Sequence, residues 1–204
     1  MAVRKKQTQL TLFGRVDHEL AESCRVKQQF SDDLKAGIVR LAEEMARVLS
    51  AGGTIFWIGN GGSAADAQHL AAELVGRLRR ARRGFASVAL TTNTSILTAV
   101  ANDTSYAEVF SRQVEAHLRI GDMLIGLSTS GNSENVVRAM QVASRRNART
   151  AAWTGMDGGR LQKLVEICLR VPSADTQRIQ ESHITIGHIV CGLVEDLLAP
   201  PRKP

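Results

Sequence analysis

Five short apolar runs, separated by segments of helical character, constrain this chain more than any other feature. They are "TIFWIG" from residue 54, "ASVAL" from 86, "DMLIGLS" from 122, "RTAAWTG" from 149 and "VEICLRV" from 165. Most are continuously apolar rather than alternating, which is the pattern of strands covered on both faces. Each of the first four is followed by a helical or loop segment. The series therefore predicts an α/β fold with a five-stranded parallel sheet between helices, in the doubly wound manner. Residues 17 to 50 carry two helical stretches ahead of the first strand. The second is predicted to start behind Ser31, with Asp32 and Asp33 in its first turn, and to stop at Gly52-Gly53. A last helix is expected from about Asp175 to Leu198. The 204 residues suffice for one domain with its own core, expected over 17–199. Residues 1–16, with Arg4, Lys5 and Lys6, and the tail 200–204 are expected to be loose ends.

Composition narrows the function classes. No apolar run approaches the length that crosses a bilayer, and no apolar signal core follows the basic N-terminus, so a cytoplasmic protein without membrane partners is expected. Cys24, Cys168 and Cys191 are odd in number and far apart, which signals neither disulfides nor a thiolate metal site. The formal charge of +6 is most visibly clustered in "GRLRRARRG", with five arginines between Arg77 and Arg83. Such a segment can bind nucleic acid, attract an anionic metabolite, bridge to a neighbouring subunit, or simply be a solvated helix end. With Phe85 the single aromatic nearby for base stacking, a nucleic-acid partner is not expected.

Ligands of doubly wound sheets bind beyond the carboxyl ends of the strands. Two such crossings are distinctive here. Gly59-Asn60-Gly61-Gly62-Ser63 follows the first strand, and "STSGNSEN", Ser128 to Asn135, follows the third. The second places Ser128, Thr129, Ser130 and Ser133 around Gly131 at a helix start, where hydroxyls, free N–H groups and the helix dipole suit a phosphate. The plainer possibility is that these residues only cap a helix. "GNGGSA" also satisfies a dinucleotide-binding pattern. However, the second strand ends "ALTTNTS" without the acid that would hold a ribose, and the glycine loop lacks the lysine of a P-loop.

Acid–base candidates are few. Of five histidines, His69 shares a helix face with Glu73 four positions on, with Asp66 one turn earlier. "RIQESHITIGH" sets Gln180, Ile184 and His188 at four-residue steps, although Gln180 and His188 lie about 12 Å apart along an ideal helix axis. His183, between them, can be purely structural.

Taken together, "GNGGSAADAQHLAAEL", "AND" at 101–103, "STSGNS" at 128–133 and "RIQESHITIGH" resemble the sugar isomerase (SIS) domain family, and within it the bacterial phosphoheptose isomerases. The resemblance covers residues 20 to 198. It implies a single SIS domain, a flavodoxin-like αβα sandwich with N-terminal helices, assembled as a homotetramer with active sites at subunit interfaces. It implies interconversion of sedoheptulose 7-phosphate and D-glycero-D-manno-heptose 7-phosphate, for ADP- or GDP-heptose biosynthesis. By the same resemblance, Glu73 is the catalytic base and His188 the partner acid. His69, Glu73, Gln180 and His188 form a zinc site, with one ion per subunit. Asn60, Gly61, Gly62, Asn102 and Asp103 contact substrate, as do Glu73 and Gln180, and Ser63, Ser128, Thr129, Ser130 and Ser133 cradle the phosphate. Ala64, Ala65, Ala72 and the loop Thr92 to Ser95 fall where the family varies. Two non-catalytic roles occur on the same fold: binding a replication initiator, and sensing sugar phosphates. The presence of both Glu73 and His188 favours the enzyme over either.

Overall fold

The computed structural model describes residues 11–198. Residues 1–10, with Arg4, Lys5 and Lys6, and residues 199–204, which include the expected tail 200–204, lie outside the described residues. Strands β1 (Ile55–Gly59), β2 (Ser87–Ala89), β3 (Met123–Leu127), β4 (Arg149–Thr154) and β5 (Ile167–Arg170) coincide with the five apolar runs. All neighbouring pairs are parallel, in the order β2-β1-β3-β4-β5. This is the flavodoxin-like order, whose switch point lies between β1 and β3.

The central strands β1 and β3 are apolar and buried throughout because alternate residues feed two cores. Ile55 and Trp57 face one cluster and Phe56 and Ile58 the other. Helices α2 (Asp32–Ser50), α3 (Gly62–Val75) and α7 (Thr176–Leu198) cover the first face, while α5 (Ser111–His117) and α6 (Glu134–Arg145) cover the second. Helix α2 starts as expected, with the Ser31 hydroxyl accepting from Leu34 N at 3.2 Å. Helix α1 (Leu12–Gln28) begins inside the stretch expected to be loose, because Thr11 caps it by accepting from Gly14 N at 3.1 Å. Helix α4 (Thr94–Asp103) is capped in the same way by Asn93, which accepts from Ile96 N.

The contact that matters most for function is α3 against α7. Gly187 lies directly under Leu70, and a Cβ at position 187 would run into both Leu70 methyl groups. The missing side chain lets the two helices approach closely enough for polar groups to meet across them. Gly187→Ala is expected to destabilise the fold by about 1–3 kcal/mol through overpacking. It should also lower turnover by spreading the helices, and chemical denaturation alongside steady-state kinetics checks both.

Candidate active site

Three of the singled-out side chains converge on this seam. His69 and Glu73, one turn apart on α3, approach each other with Nε2 to Oε1 at 3.2 Å. His188 reaches across from α7, and its Nε2 lies 2.8 Å from Nε2 of His69. The rings meet edge to face, with centroids 5.0 Å apart. One donor atom from each of His69, Glu73 and His188 fits within a 4.8 Å cluster, the arrangement of a candidate metal centre. His69 is exposed and the other two are half-buried, so a small molecule can reach them.

Gln180 stands two turns before His188. Its amide nitrogen donates to both oxygens of Asp66, at 2.7 and 2.8 Å. Burial pushes the Asp66 carboxyl above the usual carboxylate range, while the Gln180 hydrogen bond and the His69 and His188 charges pull the other way. The 12 Å spacing along α7 is thus accommodated by Gln180 and His188 meeting different residues of α3. His183 is fully buried and packs against Trp153, with its Nε2 3.3 Å from the Thr154 carbonyl oxygen. Burial lowers its pKa to about 4, so it remains neutral in the core. Cys191, one turn beyond His188, has its thiol pushed up to about 12, chiefly by burial, and is chemically inert.

The two crossings lie side by side because β1 and β3 are neighbours. Gly61, with φ at +54°, turns the chain into α3 and offers no capping side chain. In the second crossing Ser133 occupies the N-cap position of α6 yet makes no capping bond. Its hydroxyl instead lies 2.8 Å from Ser128 Oγ, which is 3.5 Å from Ser130 Oγ. Gly131 has φ at +65° and sits where a Cβ would collide with the Gly158 carbonyl, so the crossing is pressed against the loop after β4. Thr129 and Ser130 line a cavity of about 270 Å³ reaching Gly155, Ser173 and Thr176. Thr11, Ser31 and Asn93 spend their side chains on capping, whereas at the switch point neither Gly61 nor Ser133 makes a side-chain capping bond.

Asn60 is fixed by residues that sequence reasoning missed. It exchanges two hydrogen bonds with the buried Asn135 across the crossings, at 2.9 and 2.8 Å, and accepts a third from the Tyr106 hydroxyl at 2.9 Å. Asn135 belongs to the distinctive "STSGNSEN" segment, but Tyr106 carries no spacing signal. Asn102 and Asp103 end α4 exposed, with the Asn102 amide nitrogen donating to Asp103 Oδ1 at 2.9 Å.

Arg77, Arg79 and Arg83 are exposed, as a solvated charge run implies, but the Arg82 side chain turns inward. Arg82 is buried and pairs with buried Glu195 of α7 at 3.0 Å. Burial raises the Glu195 pKa, but hydrogen bonds from the N–H groups of Leu78, Arg79 and Arg80 and the Arg82 charge outweigh it and hold the carboxyl below the usual range.

The profile of the SIS domain family matches residues 20–155. The phosphoheptose isomerase of Thermodesulfovibrio yellowstonii is 50% identical over 177 residues, spanning 87% of this chain and 88% of the relative. That of Geobacter sulfurreducens is 51% identical over 182 residues, 89% of this chain and 96% of the relative. The structure of the phosphoheptose isomerase of Neisseria gonorrhoeae superposes with a TM-score of 0.86 at 46% identity, covering 91% of this chain and all of that one.

Proposed function

Because the chain belongs to the SIS-domain family, and within it to the phosphoheptose isomerases, we propose that it interconverts sedoheptulose 7-phosphate and D-glycero-D-manno-heptose 7-phosphate. From ketose to aldose, one proton leaves C1, an enediol forms across C1 and C2, and a proton returns to C2. Glu73 is the base that carries this proton along one face of the enediol. His188 moves the hydroxyl proton between O1 and O2 as the carbonyl changes place. The observation that carries this reading is the meeting of Glu73 with two imidazoles on a seam reachable from solvent.

Ser63, Ser128, Thr129, Ser130 and Ser133 hold the phosphate, and Asn60, Gly61, Gly62, Asn102, Asp103 and Gln180 contact the sugar. Ser133 supports the first role, since it occupies a cap position without capping. The size of the substrate is consistent with the layout. His69 lies seven residues after Gly62 on α3, roughly 10 Å of helix. A seven-carbon chain with phosphate at one end and reacting carbons at the other has about that reach.

The donors at the seam fit zinc, which takes imidazole nitrogens and carboxylate oxygens together. The proposal includes one zinc ion per subunit on His69, Glu73 and His188, with the Gln180 amide oxygen as fourth ligand. Bound there, zinc supplies polarisation of the carbonyl and stabilisation of negative charge on its oxygen. The Asp66 contact leaves that oxygen as the free functional atom of Gln180.

A homotetramer with shared active sites is also part of the proposal. Leu12, Val16 and Leu20 form an exposed stripe on α1, at 87%, 56% and 61%, with Phe13 beside it at 78%. Ile189 and Leu197 of α7 are exposed as well. Apolar surface of this kind is commonly covered by a second subunit. Three free thiols suit the reducing cytoplasm expected from the sequence.

Glu73→Gln should lower kcat on sedoheptulose 7-phosphate by roughly 10² to 10⁴ with the fold retained. Ser128→Ala with Ser130→Ala should chiefly raise KM, and normal turnover by the first variant removes Glu73 from the chemistry. Exhaustive chelation should cut activity, restored by zinc alone, with one zinc per chain found by elemental analysis. Full activity in verified metal-free protein rejects the metal. Sedimentation at micromolar concentration should give close to four times 22.1 kDa, whereas a fully active monomer rejects the shared site.

A further inference from the structure

The Arg82–Glu195 pair is more than a buried ion pair, because of what else its two side chains hold. Glu195 lies seven residues after His188, two turns along the same face of α7. Its carboxylate accepts from Leu78 N and Arg79 N at 2.8 Å each and from Arg80 N at 3.2 Å. Successive backbone N–H groups of this kind make an anion-binding concavity, here filled by the protein's own carboxylate. The Arg82 guanidinium bonds Glu195 through Nε and turns its other nitrogens on the end of α3. Nη2 donates to the Glu73 carbonyl oxygen at 2.8 Å, and Nη1 donates to the carbonyls of Leu74 at 2.8 Å and Gly76 at 3.2 Å. Phe85 supports the guanidinium from one side, 4.0 Å from its ring centroid.

We propose that Arg82 and Glu195 are positioning residues that fix the Glu73 backbone against α7 and so set the Glu73 carboxylate and the His188 imidazole at their working separation. This rests on the roles given to Glu73 and His188 above. The pair completes a three-point attachment of α7 to α3: Gln180 on Asp66, His188 on His69, and Glu195 on the end of α3 through Arg82. Without the last point, Glu73 sits at the final turn of a helix whose terminal carbonyls lose their arginine donors, and that turn can fray. Only arginine spans these acceptors, since its planar fork presents several N–H groups at once and lysine offers one point charge. One of the five clustered arginines is thereby given an internal role.

The test compares Glu195→Gln, Arg82→Lys, their double variant and Phe85→Leu in the full chain. Arg80→Gln, which breaks only the surface pair with Asp196, is the control. KM and kcat are measured on sedoheptulose 7-phosphate well below each variant's Tm. Glu195→Gln and Arg82→Lys should lower kcat roughly 10- to 100-fold, the cost of a displacement near 1 Å at reacting groups. KM should stay within about twofold, because the phosphate contacts are untouched. The double variant should lose no more than the worse single variant, as expected of residues acting as one unit. Phe85→Leu should lower kcat roughly threefold, and Arg80→Gln should match the parent.

Folded variants with parental kcat, whatever their Tm, overturn the proposal, as does KM rising in step with the loss of kcat. Should the Arg82 and Glu195 variants fail to fold, Phe85→Leu decides: reduced kcat at unchanged KM supports the lock and parental kcat rejects it. The underlying reading is separated by Glu73→Gln. If that variant is active, the assignment of Glu73 fails; if it is inactive while the lock variants remain fully active, only the lock fails.

Discussion

The close approach of α3 and α7 is the constraint on which the rest of the site depends. It is made possible by an absence, the missing side chain of Gly187 under Leu70. Apolar packing alone would leave the register of the two helices loosely specified, since similar side chains can slide past one another. The polar contacts remove that freedom, because each pairs groups that are costly to leave unmatched in a partly buried seam. Asp66 shows the cost directly: burial raises its pKa, and Gln180 is the partner that makes its carboxylate tolerable there. The same contacts that set the register bring two imidazoles and a carboxylate to one point.

The sheet provides the second half of the arrangement. Its order places β1 beside β3, so the glycine crossing and the serine crossing open on the same edge. At that edge the chain withholds capping bonds that it makes elsewhere. Ser133 in a capping role would stabilise α6 by about 1 kcal/mol, yet its hydroxyl is turned toward Ser128. The hydroxyl is thus not spent on an N–H group of α6, which suits the phosphate role proposed for it. Asn60 and Asn135 bond across the gap and hold the two crossings at fixed spacing, and Asn135 Oδ1 also accepts from Val136 N in the first turn of α6 at 2.9 Å.

Much of this was legible in the sequence, and the limits have physical causes. The five strands, the start of α2 and the extent of α7 followed from apolar continuity and from Ser31, because these signals are local. The pairing of His69 with Glu73 also followed from helical spacing. Meeting His188 could not be read from the residues alone, since it depends on two helices more than a hundred residues apart; only the family resemblance brought them together. Helix α1 starts earlier than expected because Thr11 is a good cap, while the apolar stripe behind it lies exposed on the single chain and so gives little sign of a core-facing helix. Within the arginine segment, Arg82 alone was misleading, for the opposite reason. Charge density in sequence suggests solvent, but whether an arginine turns inward depends on a carboxylate that arrives from far along the chain, as Glu195 does for Arg82.

That long separation also governs how the site comes into being. Helix α3 follows the first strand, α7 closes the described chain, and the sheet lies between them in sequence. Neither helix carries the proposed chemistry alone: His69 and Glu73 lack the second imidazole, and His188 lacks the carboxylate. In the folded chain, β1, β3, β4 and β5 pair into the sheet that gives both helices one face to cover. Contacts of such sequence separation cost loop-closure entropy before they contribute stability. A charged pair buried at the far end of the seam bears on contacts of this kind. Unpaired, Arg82 and Glu195 would each oppose burial; paired, they tolerate little displacement. The ion pair thus stabilises correct closure more sharply than apolar contact could, and it does so at the turn of α3 that carries Glu73.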